Sequence, residues 1–433
     1  MIRKALAAVA LAGAALAPAP LAAQQAPEAA AEQTALERRS AEVVAVLNAT
    51  RAPETIFSAS FLKAISVEQI TSLSASLVAQ FGAAEEVALL SPTDGTRAVL
   101  HIRFDRGLAK GSIAIDPGED NRVSELVFTS IDSLAVADDS PAKITADLAA
   151  LPGSVNAWFA PLDGSAPVID VGADKSLALG STFKLYVLAA LAEDVEAGLR
   201  KWSDVVALTE KSYPSGQLQN WPKGAPLTLH TLASLMISIS DNTATDQLIA
   251  VLGRDRILKL MAASGHSNPG ANDPFHTTRE LFVLKTWDRK ALDEWHKGPS
   301  AENVVLEALL SSEEPSLDQI NAAFANGPKA LDVEWFASPA DLAKLFAYMR
   351  KTADPKAFEI MAINPSATQT IKQNWRYIGF KGGSEPGVLN LTWLLTDKQG
   401  RDWVLTLGWN NPAAVVDQGK LEGIAQRILL LPH

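Results

Sequence analysis

Three short strings in this 433-residue chain carry residue types suited to acyl transfer: Ser181-Thr182-Phe183-Lys184, Ser240-Asp241-Asn242 and Lys381-Gly382-Gly383-Ser384. A serine hydroxyl attacks a carbonyl only when a base takes its proton. A lysine three positions on shares a helix face with the serine, so Ser181 and Lys184 can meet by a hydrogen bond. Ser-x-x-Lys also occurs as Ser60-Phe61-Leu62-Lys63 and Ser140-Pro141-Ala142-Lys143, and context separates the copies. Ser181 follows a hairpin pattern and opens an apolar run, Leu185 to Leu191. A helix starting there points N–H groups and partial positive charge at whatever Ser181 attacks. A lysine desolvated at such a place loses proton affinity, as a base requires. Ser240 and Asn242 lie between two apolar helical runs, Leu229–Ile239 and Ala244–Leu252. There Ser240 can relay a proton and Asn242 can orient a substrate. Gly382 and Gly383 would let a ligand lie against an edge strand. The N–H groups of Ser384 and Ser181 would pair as an oxyanion hole, and Lys381 would attract a carboxylate. Each string alone also fits a turn or a helix cap. Their order, and their places at element boundaries, favour the joint reading.

The elements around these strings fall into two regimes. Residues 34–131 read as a small α+β domain. Candidate helices at Leu36–Leu47 and Val67–Phe81 precede candidate strands at Glu86–Leu90, Ala98–Arg103, Gly111–Ile115 and Arg122–Thr129. Turn signals such as Pro92-Thr93-Asp94-Gly95 separate the strands. Asp105, Asp116 and Asp120 read as turn and cap residues rather than pocket acids. Residues 132–144 read as a polar linker. The second regime, 145–433, opens with a helix (Thr145–Leu151) and a hairpin (Ser154–Ala160, Pro167–Gly172). It closes with two strands (Leu389–Leu395, Trp403–Trp409) and a helix (Asp417–Leu430), with helical patterns between. Strands at both ends of a segment with helices inside predict an α/β domain with an antiparallel sheet and a helical subdomain.

Composition narrows the chemistry. The chain has no cysteine, which excludes thiol nucleophiles, zinc-thiolate sites and lipoprotein attachment. Six histidines leave little for a metal site, so neither metal nor cofactor is expected. The 38 basic residues are outnumbered by 49 acidic ones, for a net charge of −11. That balance argues against a nucleic-acid partner. The basic start Arg3-Lys4, the apolar run Ala5–Ala17 and the small residues before Gln24 read as a signal peptide over 1–23, followed by a flexible tether over 24–33. A secreted or periplasmic protein with no integral membrane span is expected. The sequence leaves its oligomeric state open.

The three strings resemble the class A β-lactamase and penicillin-binding-protein superfamily of serine hydrolases. The stretch Pro226–Leu248 is especially similar to that superfamily around its Ser-Asp-Asn motif, and Ser215-Gly216-Gln217-Leu218 resembles the loop just upstream. The resemblance implies a β-lactamase-like, D-Ala-D-Ala transpeptidase-like fold over residues 145–433. It also implies roles: Ser181 as acylated nucleophile, Lys184 as base and Ser240 as relay to the leaving amine. Asn242, Lys381, Gly383 and Ser384 would bind substrate. The substrate would be a β-lactam, an ester or a D-Ala-D-Ala-like peptide. The N-terminal element order resembles the nuclear transport factor 2-like (steroid-isomerase-like) fold, a cystatin-like curved sheet with helices on it. Two departures stand out. Gly382 occupies a position where threonine or serine is usual. The Glu-x-x-x-Asn pattern that supplies the class A deacylation base is absent between Asn242 and Lys381. Asn272–Lys285 instead resembles two-domain members lacking that glutamate. Glu334 and Glu280 are the nearest candidate bases, although Glu280 also suits a cap at a helix start. Alternatives are a D-Ala-D-Ala carboxypeptidase or penicillin-binding protein, a cephalosporin-type esterase, and a non-catalytic binding protein.

Overall fold

A computed structural model describes residues 34–133, 139–297 and 301–432; the leader and tether expected over 1–33 lie outside them. The N-terminal part begins with helices α1 (Ala35–Leu47) and α2 (Val67–Phe81). Each starts with a capping box, at Thr34/Glu37 and Ser66/Gln69, in which cap side chain and N3 side chain satisfy each other's backbone N–H groups. Strands β1 (Ala84–Pro92), β2 (Arg97–Phe104), β3 (Gly107–Asp116) and β4 (Arg122–Ser133) follow as an antiparallel meander in sequence order. In β2, Ala98, Leu100, Ile102 and Phe104 are buried and alternate with less buried residues, the period-two pattern of a half-covered sheet. They pack with Leu36, Val43, Leu47, Ile70 and Phe81 into one core. Asp105 and Asp116 do serve the turns. Asp105 accepts from the Ala83 N–H at 2.9 Å and Asp116 from the Gly118 N–H at 2.8 Å.

Helix α3 (Pro141–Ala149) follows, capped by Ser140. It begins four residues before the sequence suggests, because proline is favoured in the first helical turn. Strands β5 (Ser154–Pro161), β6 (Ile169–Val171) and the two-residue β7 (Leu177–Ala178) lead to a 3-10 turn, Gly180–Phe183, and helix α4 (Lys184–Glu196). Residues 184–192 of α4 are all buried, as expected of a helix enclosed on every side. Helices α5 (Leu229–Ser238), α6 (Asn242–Leu252) and α7 (Thr278–Thr286) surround it with others to form the helical layer. Strand β8 (Phe336–Ala337) returns to pair with β7. Strands β9 (Tyr377–Glu385), β10 (Val388–Thr396) and β11 (Asp402–Asn410) then complete a sheet ordered β9-β10-β11-β5-β6, and α8 (Gln418–Leu429) covers it. The two ends of the segment therefore share one sheet, as the sequence predicts, and β9 is its edge. Helix α8 also packs against α2, joining the two parts: Gly423 has room only for a hydrogen where it meets the Gln80 backbone.

Candidate active site

The three strings meet in one cleft of about 420 Å³, lined among others by Ser181, Ser240, Asn242, Lys381, Gly383 and Ser384. Each arrives for a local reason. The chain enters the Ser181 turn through Gly180, whose φ of +49° is one that glycine adopts without a Cβ penalty. Asp241 holds the second string. Its Oδ1 caps α6 through the Ala244 N–H at 2.8 Å, and its Oδ2 accepts from the Gln217 and Leu218 N–H groups at 2.7 and 3.0 Å. The Ser215–Leu218 loop is thereby tied to the head of α6. The Asn242 N–H donates to the Ser215 carbonyl at 3.0 Å, which closes the same join. Gly216, at φ +106°, lies so close to Asp241 that a side chain there would collide with the carboxylate.

The two lysines converge on one hydroxyl. Lys184 Nζ donates to Ser240 O at 2.8 Å, Ser240 Oγ at 3.1 Å and Asn242 Oδ1 at 2.7 Å. Lys381 Nζ reaches Ser240 Oγ at 3.1 Å from the opposite wall and also bonds Gly382 O. Ser240 is held at φ +57° to present carbonyl and hydroxyl together. For a non-glycine residue that conformation costs about 1–3 kcal/mol and persists only when the surroundings impose it. The hydrogen bond expected between Ser181 and Lys184 is absent, because the three donors of the Lys184 ammonium are already taken by Ser240 and Asn242. The Asn242 amide is shared as well, with Nδ2 donating to Tyr213 O at 3.0 Å.

Burial shapes the proton affinities. Desolvation and then the nearby Lys381 charge push Lys184 well below the ordinary lysine range, against the weaker pull of Asp246 and Asp241. Desolvation alone brings Lys381 down to about 7. An amine so lowered can act as a base near neutrality.

Strand β9 passes directly over the Ser181 turn. A Cβ built on Gly383 would lie 2.3 Å from both Leu179 O and Ser181 N, and one built on Gly180 would lie 3.0 Å from Ser384 N. The backbones of Ser181 and Ser384 are therefore neighbours at the mouth of the cleft, where an oxyanion would need its donors.

The two candidate bases separate. Glu280 is a helix cap. It accepts from the Thr277 N–H at 3.0 Å within a capping box at the head of α7 and pairs with Arg254 at 2.6 Å. Burial works to raise its carboxyl, but bonds from His276, Arg254 and the Thr277 backbone outweigh it and hold the group at about 2. It does not line the cleft, so the structure does not bring it together with Ser181. Glu334 does line it. Among the lining residues that escaped the sequence reading are Thr278 and Glu385. For Glu385 a signal existed. Alternation along β9 puts residues 381, 383 and 385 on one face, so the carboxylate follows the lysine and glycine into the same wall.

The sequence profile of the β-lactamase enzyme family matches residues 140–426, more than half of the chain. No curated protein matches it. Among solved structures, a β-lactamase from Sphaerobacter thermophilus is similar at 23% identity over 67% of this chain and 95% of its own, with a TM-score of 0.46. The protein PBP-A is similar at 17% identity over 66% of this chain and 94% of its own, with a TM-score of 0.44. A β-lactamase from Chitinophaga pinensis is similar at 14% identity over 66% and 96%, with a TM-score of 0.45. The family match spans every one of the three strings that build the cleft, and on that match the chain belongs to the β-lactamase enzyme family.

Proposed function

We propose that the protein is an acyl-serine hydrolase of the class A β-lactamase type, opening β-lactam amides or related esters through an acyl-Ser181 intermediate. The observation that carries this reading is the convergence of Lys184 and Lys381 on Ser240 Oγ, at 3.1 Å each, in the cleft that also holds Ser181. A neutral amine keeps two N–H donors and gains a lone pair. Once uncharged, Lys184 releases one of its three acceptors and offers that lone pair to the Ser181 hydroxyl. The oxygen attacks the carbonyl carbon and Lys184 takes the proton. Ser240 Oγ, bonded to Lys184, passes a proton to the departing nitrogen. The Ser181 and Ser384 N–H groups receive the negative oxygen, and Lys381 holds the substrate carboxylate. We further propose export through the 1–23 leader, and a nuclear transport factor 2-like fold for the N-terminal helices and meander.

Fluorescent penicillin tests the reading, with nitrocefin alongside. Covalent label on Ser181 by peptide mass spectrometry, together with nitrocefin turnover, is the expected result. No adduct and no hydrolysis of amide or ester between about pH 6 and 9 would sink it.

The lysine environments give a second expectation. Lys381 is charged below about 7 and neutral above. KM for a substrate with a free carboxylate therefore rises several-fold over the pH unit above that value, while KM for the methyl ester of the same substrate stays flat. Parallel pH profiles of the two substrates check this.

A further inference from the structure

Glu334, Lys285 and Glu385 form a buried group in the wall of the cleft. Lys285 comes from α7, and its side chain is wholly buried. An ammonium has three donors, and here they go to Glu385 Oε1 at 2.6 Å, Ala330 O at 3.0 Å and Lys329 O at 3.1 Å. None remains for Glu334. Its Oε1 lies 3.4 Å from Lys285 Nζ as an ion pair but makes no hydrogen bond, although the Glu334 side chain is fully buried. An unsatisfied carboxylate oxygen in such a place is costly, and a water entering the cleft would relieve it.

Two backbone crossings bring the segments that carry these carboxyls beside the Ser181 turn. In the β7–β8 pair, Phe336 faces Ala178 and Ala337 faces Leu177, and the Leu179 N–H continues the ladder to Trp335 O at 2.9 Å. One further step sets Glu334 opposite Gly180, the residue before Ser181. The Trp335 ring stacks on Phe183 at 3.6 Å between centroids, which fixes this segment to the nucleophile turn. From the other side, β9 touches Ser181 at Gly383, and Glu385 lies two residues on, about 7 Å along the same face. Both carboxyls line the cleft that holds Ser181. Burial and the neighbouring Glu334 push the Glu385 carboxyl well above the usual range, against the pull of Lys285.

We propose that Glu334 is the base that activates water for deacylation, with Lys285 as the residue that positions it beside Glu385. Glu334 removes a proton from water as the water oxygen bonds to the acyl carbon. The tetrahedral intermediate then collapses with cleavage of the carbon–Oγ bond. The proton held by Glu334 returns to Ser181 Oγ, and the product leaves as a carboxylic acid. This replaces the missing Glu-x-x-x-Asn loop with groups from a strand register and an edge strand. It rests on the acyl-Ser181 reading above.

Acylation and discharge, followed separately by mass spectrometry after a pulse of penicillin, test it. The wild-type acyl-enzyme is expected to discharge within minutes. Glu334→Gln should acylate at the wild-type rate and discharge about 10²-fold slower, with hydroxylamine, a stronger nucleophile, restoring release. Glu334→Asp, which keeps the charge but retracts it, should fall between. Glu385→Gln, which leaves the Lys285 ammonium facing Glu334, should slow discharge less than Glu334→Gln does. A wild-type acyl-enzyme that persists for hours overturns the proposal, as does an acylating Glu334→Gln that discharges at the wild-type rate. Should Glu334→Gln fail to acylate, the wild-type lifetime and Glu334→Asp decide. Failure of the wild type to acylate at all would overturn the acyl-serine reading instead.

Discussion

Ser181→Ala is expected to lower β-lactam hydrolysis about 10⁶-fold, and Lys184→Met nearly as far. The first removes the atom that forms the acyl bond. The second removes the lone pair that frees that atom and the contacts that hold Ser240 and Asn242 at 3.1 and 2.7 Å. Residues that act as one unit lose their effect together, so the double variant should be no slower than Ser181→Ala alone. The variants separate by readout. Ser181→Ala still binds substrate, since Lys381, Ser384 and the cleft remain, and should protect the protein thermally at saturating substrate without forming an adduct. Lys184→Met leaves a buried methyl-capped chain of similar length, so the fold should survive. Ser240 and Asn242 lose a shared donor, however, and the strained φ of +57° at Ser240 loses its constraint. Stopped-flow nitrocefin rates with intact-mass measurement check both. A Lys184→Met protein acylating at the wild-type rate would exclude Lys184 as the base.

Much of this site can be read from the chain because its parts coincide with element boundaries. Helix starts and glycine turns have local chemical signatures: Gly180 before Ser181, Asp241 capping α6, Gly383 at a crossing point. The sheet that joins β5 to β11 is also legible, since strands at both ends of a segment have few other partners. The buried group of Lys285, Glu334 and Glu385 lies beyond such reasoning. Its members come from a helix, a loop and an edge strand and meet only through tertiary register. The decisive contact is β7 with β8, two strands of two residues each, too short for any periodicity. Lys285 has the same difficulty. In sequence it reads as a basic residue in the last turn of α7, suited to the helix dipole, whereas the fold buries it completely. The Ser181–Lys184 bond failed for a related reason. Spacing brings the two within reach, but the competing acceptors arrive from residues 240 and 242, and only the fold reveals that they win.

The glycine at the crossing gives the second large effect. Gly383→Ala is expected to lower turnover about 10³-fold and stability by about 1–3 kcal/mol. A Cβ there would lie 2.3 Å from Leu179 O and Ser181 N and 2.5 Å from Thr182 N. All three are backbone atoms of the nucleophile turn, and none can rotate away as a side chain would. Strand β9 must instead lift by roughly 1 Å to regain van der Waals distance, carrying the Ser384 N–H away from Ser181. The loss then falls on the transition state, because the oxyanion loses one donor while Lys381 and the cleft still bind substrate. The expected signature is a reduced kcat with KM changed by less than about threefold. Gly382 provides the control. A Cβ there meets the Phe380 ring tip at 2.8 Å and the Leu391 methyl at 3.4 Å, and both are ends of side chains that can move. Gly382→Thr should therefore retain activity within about tenfold of wild type, even though the two glycines are adjacent. Were the two substitutions to cost the same, the tight crossing of β9 over Ser181 could not be what aligns the oxyanion donors.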